Sequence, residues 1–375
     1  MKTVLVTASY SPSLVNFRGA LITAMRARDH RVHACAPGLS EDKATRMWLE
    51  ERGVVCHDVP LSRTGLNPLH DLRAMVALAQ LMRRVRPDVF LGYTIKPVIW
   101  GILAARCACV PQRVALITGL GYAFTGEATG LRAIVQRLAR TLFSMAMRSA
   151  TLVFFQNPDD RADFHRLKIL PEDAAVKLVN GSGVDTDRFD LAELPKGPTR
   201  FLLIARLLGD KGIREYVAAA RQLSSRWAGV EFHLVGGIDP NPNGIARAEV
   251  ESWLRDRHFI WHGALDDVRA AISACHVYVL PSYREGTPRT VLEAMSMGRP
   301  IVTSDAPGCR ETVERGRNGF LIPVRDSKAL AEAMERFLLE PDLLRQMGAN
   351  SRRIAEEKYD VNKINIVMMD AMKLL

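Results

Sequence analysis

Tyr283–Pro300 reads YREGTPRTVLEAMSMGRP. The apolar run Val277–Leu280 precedes it and stops at Pro281-Ser282, the pattern of a buried strand ending in a turn. Glu285-Gly286 form the loop, Thr287 suits a helix cap, and Pro288 suits the first helical position. The spacing predicts a helix from Pro288 to about Met297, stopped at Gly298. Strand, short turn and helix together are the repeating unit of a parallel α/β sheet. Within this unit Glu285 and Glu293 stand with seven residues between them. Glu285 falls in front of the helix, and Glu293 about one and a half turns inside it. The helix start between them offers free N–H groups and a positive dipole end, which suits an anion. One long ligand with phosphates in its middle could meet both carboxylates. A decorative loop glutamate and an ordinary helix-surface glutamate would give the same spacing.

The same rhythm extends in both directions. Val4–Thr7, Val32–Ala36, Val89–Leu91, Arg113–Ile117 and Thr151–Gln156 read as strands, with helices over Gly19–Arg28 and Leu72–Val85. It restarts at Thr199–Ala205, followed by a helix over Gly212–Arg226. Strands at Glu231–Val235, Val277–Leu280, Pro300–Thr303 and Phe320–Ile322 complete a second set. The expected fold class is α/β, two doubly wound Rossmann-like domains in series. The expected division is 1–185 and 186–375, with the Pro/Gly/Asp-rich Asp185–Pro198 between the sheets and the last helix returning to the first domain. Ligands of such sheets lie beyond the carboxyl ends of the strands, here in a cleft between the domains.

Composition is that of a globular chain: 375 residues, 48% hydrophobic and 25% charged. No uncharged apolar run approaches the roughly 18 residues of a membrane span. The start, MKTVLVTASYSPSL, reads as a core strand and its turn rather than a signal peptide. Six cysteines without a CxxC pair read as buried, reduced thiols, and the nine histidines show no metal-ligand spacing. Charge is uneven. Residues 1–150 carry 20 Lys+Arg against 9 Asp+Glu, and the remainder 31 against 32. A net +11 in the first part points to an anionic partner or to a merely solvated basic surface.

Two further segments of the second set bear chemistry. Arg206 and Lys211, in ARLLGDKG after Thr199–Ala205, are cations at a strand end, suited to holding a departing diphosphate. Gly236-Gly237 end another strand and permit close backbone approach. With Arg206, Lys211-Gly212, Gly236-Gly237 and the run from Glu285 through Glu311 in view, the chain closely resembles the retaining glycosyltransferases of family 4. The likeness continues through Gly316–Phe320 and covers most of the second domain. It implies a GT-B fold of two Rossmann-like domains, with the nucleotide sugar held by the second. It also implies roles. Glu285 would contact the transferred sugar and Glu293 the ribose, while Gly286, Thr287, Pro288, Arg289 and Thr290 would line the donor between them. Arg206 and Lys211 would neutralise the diphosphate. The resemblance implies no metal and no cofactor, and reaction on the face from which the leaving group departs.

In the first half Asn16-Phe17-Arg18-Gly19, Tyr93–Pro97 and Thr118–Phe124 each follow a strand. The run GLGYAF resembles a broken GxGxxG, but no helix opens directly after it and no suitable acid follows, which argues against a dinucleotide. These segments, with Ser62–Pro68 and Gly236–Pro242, resemble a bacterial subgroup that builds surface glycans, whose members include transferases that add N-acetylgalactosamine to undecaprenyl-diphospho-sugars. The resemblance places Asn16, Phe17, Arg18, Gly19, Gly119, Gly121 and Tyr122 at the acceptor side, and Lys96 among the catalytic groups. Many relatives carry a histidine where this chain has Thr118-Gly119. The expected partners are a nucleotide-sugar donor of the UDP-N-acetylhexosamine kind, a polyprenyl-diphosphate acceptor and an anionic membrane surface; nucleic acid is not expected. Gly130–Arg148 supports the membrane reading: Leu131, Ile134, Val135, Leu138 and Leu142 fall at helical spacing beside Arg132, Arg137, Arg140 and Arg148. An ordinary packed helix gives the same pattern. The expected location is cytoplasmic, peripheral on the inner face of the cell membrane. The alternatives are a UDP-sugar 2-epimerase of the same architecture, or a basic nucleic-acid-binding protein, which would interleave aromatics with its arginines.

Overall fold

The computed structural model describes residues 1–62, 67–119, 131–241, 243–255 and 259–375. They form two compact units, Met1–Ser182 with Asn362–Leu375, and Gly183–Val361.

The first unit is a seven-stranded parallel sheet of β1 (Thr3–Thr7), β2 (Arg31–Ala36), β3 (Val55–Asp58), β4 (Val89–Tyr93), β5 (Gln112–Ile117), β6 (Leu152–Phe155) and β7 (Val176–Leu178). Its spatial order is β3-β2-β1-β4-β5-β6-β7. Strands buried on both faces explain the unbroken apolar runs. Val4, Val6, Leu91 and Leu116 face one layer of helices; Leu5, Phe90 and Ala115 face the other. The helices are α1 (Pro12–Arg26), α2 (Lys43–Glu50), α3 (Pro68–Val85), α4 (Ile102–Cys107), α5 (Leu131–Ser149) and α6 (Pro158–Arg166). On the first layer, Leu14, Ile22 and Met25 of α1 pack with Met368 and Met369 of the chain's last helix, Val361–Ala371. That closing contact is pinned by a hydrogen bond between His30 Nε2 and Leu374 O at 2.9 Å.

Several elements differ from expectation; among them, strands β7 (Val176–Leu178) and β10 (Phe259–Trp261) are additions to the expected set. Helix α1 begins at Pro12, not Gly19, because proline at the first helical position needs no N–H partner and presets φ. Strand β3, an edge strand with two exposed residues, was not anticipated. Its mixed side chains hide it from a search for apolar runs. The cysteines also divide. Cys35, Cys275 and Cys309 are buried as expected, but Cys107 and Cys109 are exposed.

The second unit repeats the plan with β8 (Arg200–Ile204), β9 (Glu231–Val235), β10 (Phe259–Trp261), β11 (Val277–Leu280), β12 (Ile301–Ser304) and β13 (Gly319–Ile322). Their order is β10-β9-β8-β11-β12-β13, all parallel. Around them lie α7 (Ile213–Ser224), α8 (Arg247–Trp253), α9 (Arg269–Ser273), α10 (Arg289–Ser296), α11 (Ser327–Leu339) and α12 (Asp342–Ile354); the helix Val361–Ala371 is α13. In both sheets the order reverses beside the first strand, at β1/β4 and at β8/β11. Loops leave in opposite directions there, which opens a crevice for ligands.

Candidate active site

In the second unit three loops meet at the carboxyl ends of β8, β9 and β11. The loop after β8 carries Arg206 and Lys211. The loop after β11 docks onto it: Tyr283 N–H donates to Asp210 O at 2.9 Å and Ser282 Oγ to the same carbonyl at 3.2 Å. Tyr283 Oη donates to Glu215 Oε1 at 2.6 Å, and burial with this carboxylate pushes its phenol up to about 12. The result is that Lys211 Nζ meets Glu285 Oε1 at 2.6 Å, across 74 positions of sequence. Both side chains are mostly buried, 16% and 17% exposed. A cation and a carboxylate so placed form a strong charge-assisted contact that a diphosphate can replace.

Glu293 is no surface residue. It is buried, and Arg289 Nε lies 2.8 Å from its Oε1, one helical turn away. Burial raises the carboxyl's pKa, and the Arg289 guanidinium opposes the rise. Helix α10 starts at Arg289, one residue later than expected; Pro288, not Thr287, holds the cap position with ψ at 109°. Gly286, Thr287 and Pro288 form the turn in front of it. Thr290 Oγ1 accepts from Tyr278 Oη at 2.7 Å, which locks the first helical turn to β11. Arg299, last cation of the same stretch, is fully buried and donates to the carbonyls of Ile272, Ala192, Glu193 and Ser273 at 3.0–3.2 Å. It clamps a connecting segment and belongs to the fold.

Arg206 is 56% exposed and donates through Nη1 to Asp239 Oδ2 at 3.1 Å. Asp239 falls in the run Gly236–Pro242, where the sequence alone assigns it no role. Gly236 was expected to let a ligand approach; the closest neighbour is the chain itself. A Cβ there would lie 1.9 Å from Ala205 O. Gly237 accepts from Leu207 N–H at 3.3 Å, and a Cβ on it would meet only Ala264 at 3.4 Å.

In the first unit the expected segments separate by role. Asn16, Phe17, Arg18 and Gly19 lie inside α1 rather than in a loop ahead of it. Asn16 and Phe17 are exposed. Arg18 is buried over the Tyr93 ring, 5.2 Å from its centroid. Gly19 is a packing residue, since a Cβ would stand 3.0 Å from the Trp48 ring. After β4, Thr94 takes a left-handed φ of 67° and bonds Ser9, at the end of β1, Oγ1 to Oγ at 2.9 Å. Strain in a residue other than glycine or asparagine gathers at functional places. Lys96 is buried, with Asp71 Oδ1 and Ser62 Oγ both at 2.7 Å. Gly119 lies two residues beyond β5, with φ at 120°; Gly121 and Tyr122 lie outside the described residues. In α5, Leu142, Phe143, Ala146 and Met147 pack on the core, while Leu138 and Met145 are exposed beside Arg137 and Arg148. Leu142 therefore belongs to the packed face, not the outer one. Among the described residues no helix is long and apolar enough to cross a membrane.

Comparison with known proteins fits these two units. Residues 16–181 match the model of the glycosyl transferase 4-like domain, and residues 198–340 that of glycosyl transferases group 1. The chain is 30% identical, over 94% of its length and 93% of the relative's, to the N,N'-diacetylbacillosaminyl-diphospho-undecaprenol alpha-1,3-N-acetylgalactosaminyltransferase of Campylobacter jejuni. The chain belongs to the group 1 glycosyltransferases. A second relative of this glycosyltransferase is the UDP-Gal:alpha-D-GlcNAc-diphosphoundecaprenol alpha-1,3-galactosyltransferase of Escherichia coli. It is 27% identical over 82% of this chain and 80% of its own. Among solved structures, sucrose-phosphate synthase from Thermosynechococcus elongatus superposes with a TM-score of 0.84 at 19% identity, over 100% of this chain and 98% of its own. That likeness shows the fold, GT-B, carried by the two parallel sheets. Neither an epimerase nor a nucleic-acid-binding protein finds support among these relatives.

Proposed function

We propose that this glycosyltransferase moves a sugar, an N-acetylhexosamine carried on UDP, onto a saccharide linked to polyprenyl diphosphate, with retention at the anomeric carbon. The observation that carries the donor half is the contact of Lys211 with Glu285 at the β8/β11 crossover. Lys211 and Arg206 bind the diphosphate, Glu285 the sugar hydroxyls and Glu293 the ribose. The bond from the anomeric carbon to the β-phosphate oxygen breaks with its electron pair leaving on UDP. The acceptor hydroxyl bonds the same face, and its proton passes to the departing phosphate oxygen. Lys211 offsets the charge that develops there, where fixed cations are worth most.

The acceptor half rests on the full-length relatives that act on undecaprenyl-linked sugars and on the charge of the first unit. Leu138 and Met145 with Arg137 and Arg148 on α5, and Leu69, Leu72 and Val76 with Arg73 on α3, give exposed apolar groups beside cations. Such faces suit an anionic lipid surface, the inner face of the cell membrane. The test is nucleoside diphosphate release from a panel of UDP- and GDP-sugars, with and without a synthetic undecaprenyl-diphospho-sugar. Acceptor-dependent release from one UDP-N-acetylhexosamine, lost in Glu285→Ala, supports the reading. Release from no donor, or release indifferent to the acceptor, overturns it. Flotation with vesicles of phosphatidylglycerol against phosphatidylcholine tests the membrane face: binding to the anionic vesicles alone supports it, and no binding to either overturns it.

A further inference from the structure

The loop after β9, Gly236–Ile245, has two features that the donor reading does not use. It is bonded to the cation loop along its length, and it supplies an acid to one of the cations. Leu207 N–H donates to Gly237 O at 3.3 Å, Ile245 N–H to Leu207 O at 2.9 Å, and Gly209 N–H to Asn243 O at 3.0 Å. These bonds run through the segment that joins Arg206 to Lys211. The β9 loop is itself folded by side chains. Asp239 Oδ1 accepts from Asn241 N–H at 2.9 Å and Asn241 Oδ1 from Asn243 N–H at 2.9 Å. Asp239 is therefore held at one oxygen, is only 16% exposed, and gives its other oxygen to Arg206. Among the described residues, Asp239 is the one partner of the Arg206 guanidinium.

We propose that Asp239 is a positioning residue for donor binding: it fixes the Arg206 guanidinium at the mouth of the diphosphate site before the donor arrives. The inference rests on the donor reading given above. An arginine presents five N–H donors in a planar fork. One of them spent on Asp239 leaves the others for phosphate oxygens. A long, half-exposed side chain must lose its rotamer freedom when it grips a ligand, and prior anchoring removes that cost from the binding step. A carboxylate beside a diphosphate would by itself repel it. Asp239 escapes that role because its charge is already paired with Arg206 and its second oxygen is committed to the loop.

Asp239→Asn separates the two functions of the side chain. The amide oxygen still accepts from Asn241 N–H, so the turn is kept, while an NH2 group replaces the acceptor facing Arg206. The experiment is calorimetric titration of UDP into wild type, Asp239→Asn, Arg206→Gln and the double variant, with unliganded melting temperatures recorded for each. Asp239→Asn is expected to weaken UDP about three- to tenfold, and to change affinity by less than about twofold in the Arg206→Gln background. Donor KM should rise by the same factor as the single-variant loss. An equal loss in both backgrounds would overturn the proposal, since Asp239 would then act on the loop alone. Tighter UDP binding by Asp239→Asn would also overturn it, showing an acid that competes for the arginine. Should Asp239→Asn fail to fold, Asp239→Ser, whose hydroxyl can still cap the turn, takes its place in the same cycle. A wild-type protein that does not bind UDP overturns the donor reading itself. Wild-type binding without coupling between the two residues overturns this inference alone.

Discussion

The crossover points of the two sheets are built alike and equipped differently. At β8/β11 the facing loops meet through charge, Lys211 against Glu285. At β1/β4 they meet through hydroxyls, Ser9 against Thr94. The nearby cation of the first unit, Lys96, is drawn aside into an ion pair with Asp71 of α3, both side chains about nine-tenths buried. A charged crossover can exchange its carboxylate for a diphosphate. A neutral one can offer hydroxyls to a sugar but has little to stabilise a leaving group. The shared fold therefore does not assign the chemistry; the groups at the strand ends do.

The largest expected effect is at the charged crossover. Glu285→Ala should lower transfer by on the order of 10³-fold, whereas Thr94→Ser and Ser9→Ala should each cost less than about tenfold, read as KM for the acceptor. Equal losses at the two crossovers, measured as acceptor-dependent UDP release, would erase the distinction. Next comes Glu293. Glu293→Gln should weaken UDP about tenfold to a hundredfold, the worth of charged hydrogen bonds to hydroxyls, with turnover at saturating donor much less affected. Affinity unchanged on titration would remove Glu293 from the donor site.

Lys96 sharpens the other side of the comparison. Lys96→Met strands the buried Asp71 carboxylate, and should destabilise the first unit by about 3 kcal/mol. Lys96→Met with Asp71→Asn should recover most of that in denaturant unfolding. Failure of the second substitution to rescue would mean that the lysine's role is not chiefly its pairing with Asp71.

The smallest effect concerns a feature that the two sheets share. His33 and His57 stack between β2 and β3, with ring nitrogens 2.8 Å apart, and His233 and His262 do the same beside β9 and β10 at 2.9 Å. Burial lowers the pKa of His33, His57 and His233 in the folded chain. A histidine whose folded pKa is depressed contributes stability above its unfolded value of about 6.5, and loses it as pH falls through the folded value. The melting temperature should therefore decline below about pH 6.5. His57→Gln should flatten that slope modestly, and an unchanged slope would take the pair out of the titration.

Much of this was legible in the sequence for a plain reason: buried parallel strands are unbroken apolar runs, so the sheets, their turns and the Glu285–Glu293 helix could be read directly. What escaped were features that lack such a run or that depend on distant partners. Edge strand β3 has mixed exposure. The start of α1 hung on Pro12 alone. The burial of Glu293 was not legible, because its neighbours in α10 do not reveal the depth at which the helix packs. Gly19 and Gly236 looked like ligand glycines, but Trp48 and Ala205 O, which press on them, lie 29 and 31 residues away in sequence. Asp239 could not be paired with Arg206, 33 positions off, until the β8 and β9 loops were seen to bond.

The most direct test is acceptor-dependent UDP release by Lys211→Ala compared with wild type, using a folded variant with a matched melting temperature. A charged crossover that cleaves the donor predicts a fall of about 10²- to 10³-fold, as for removal of one preorganised group at a developing charge. A rate within about twofold of wild type would contradict it, leaving the Lys211–Glu285 contact as a structural ion pair with no part in the chemistry.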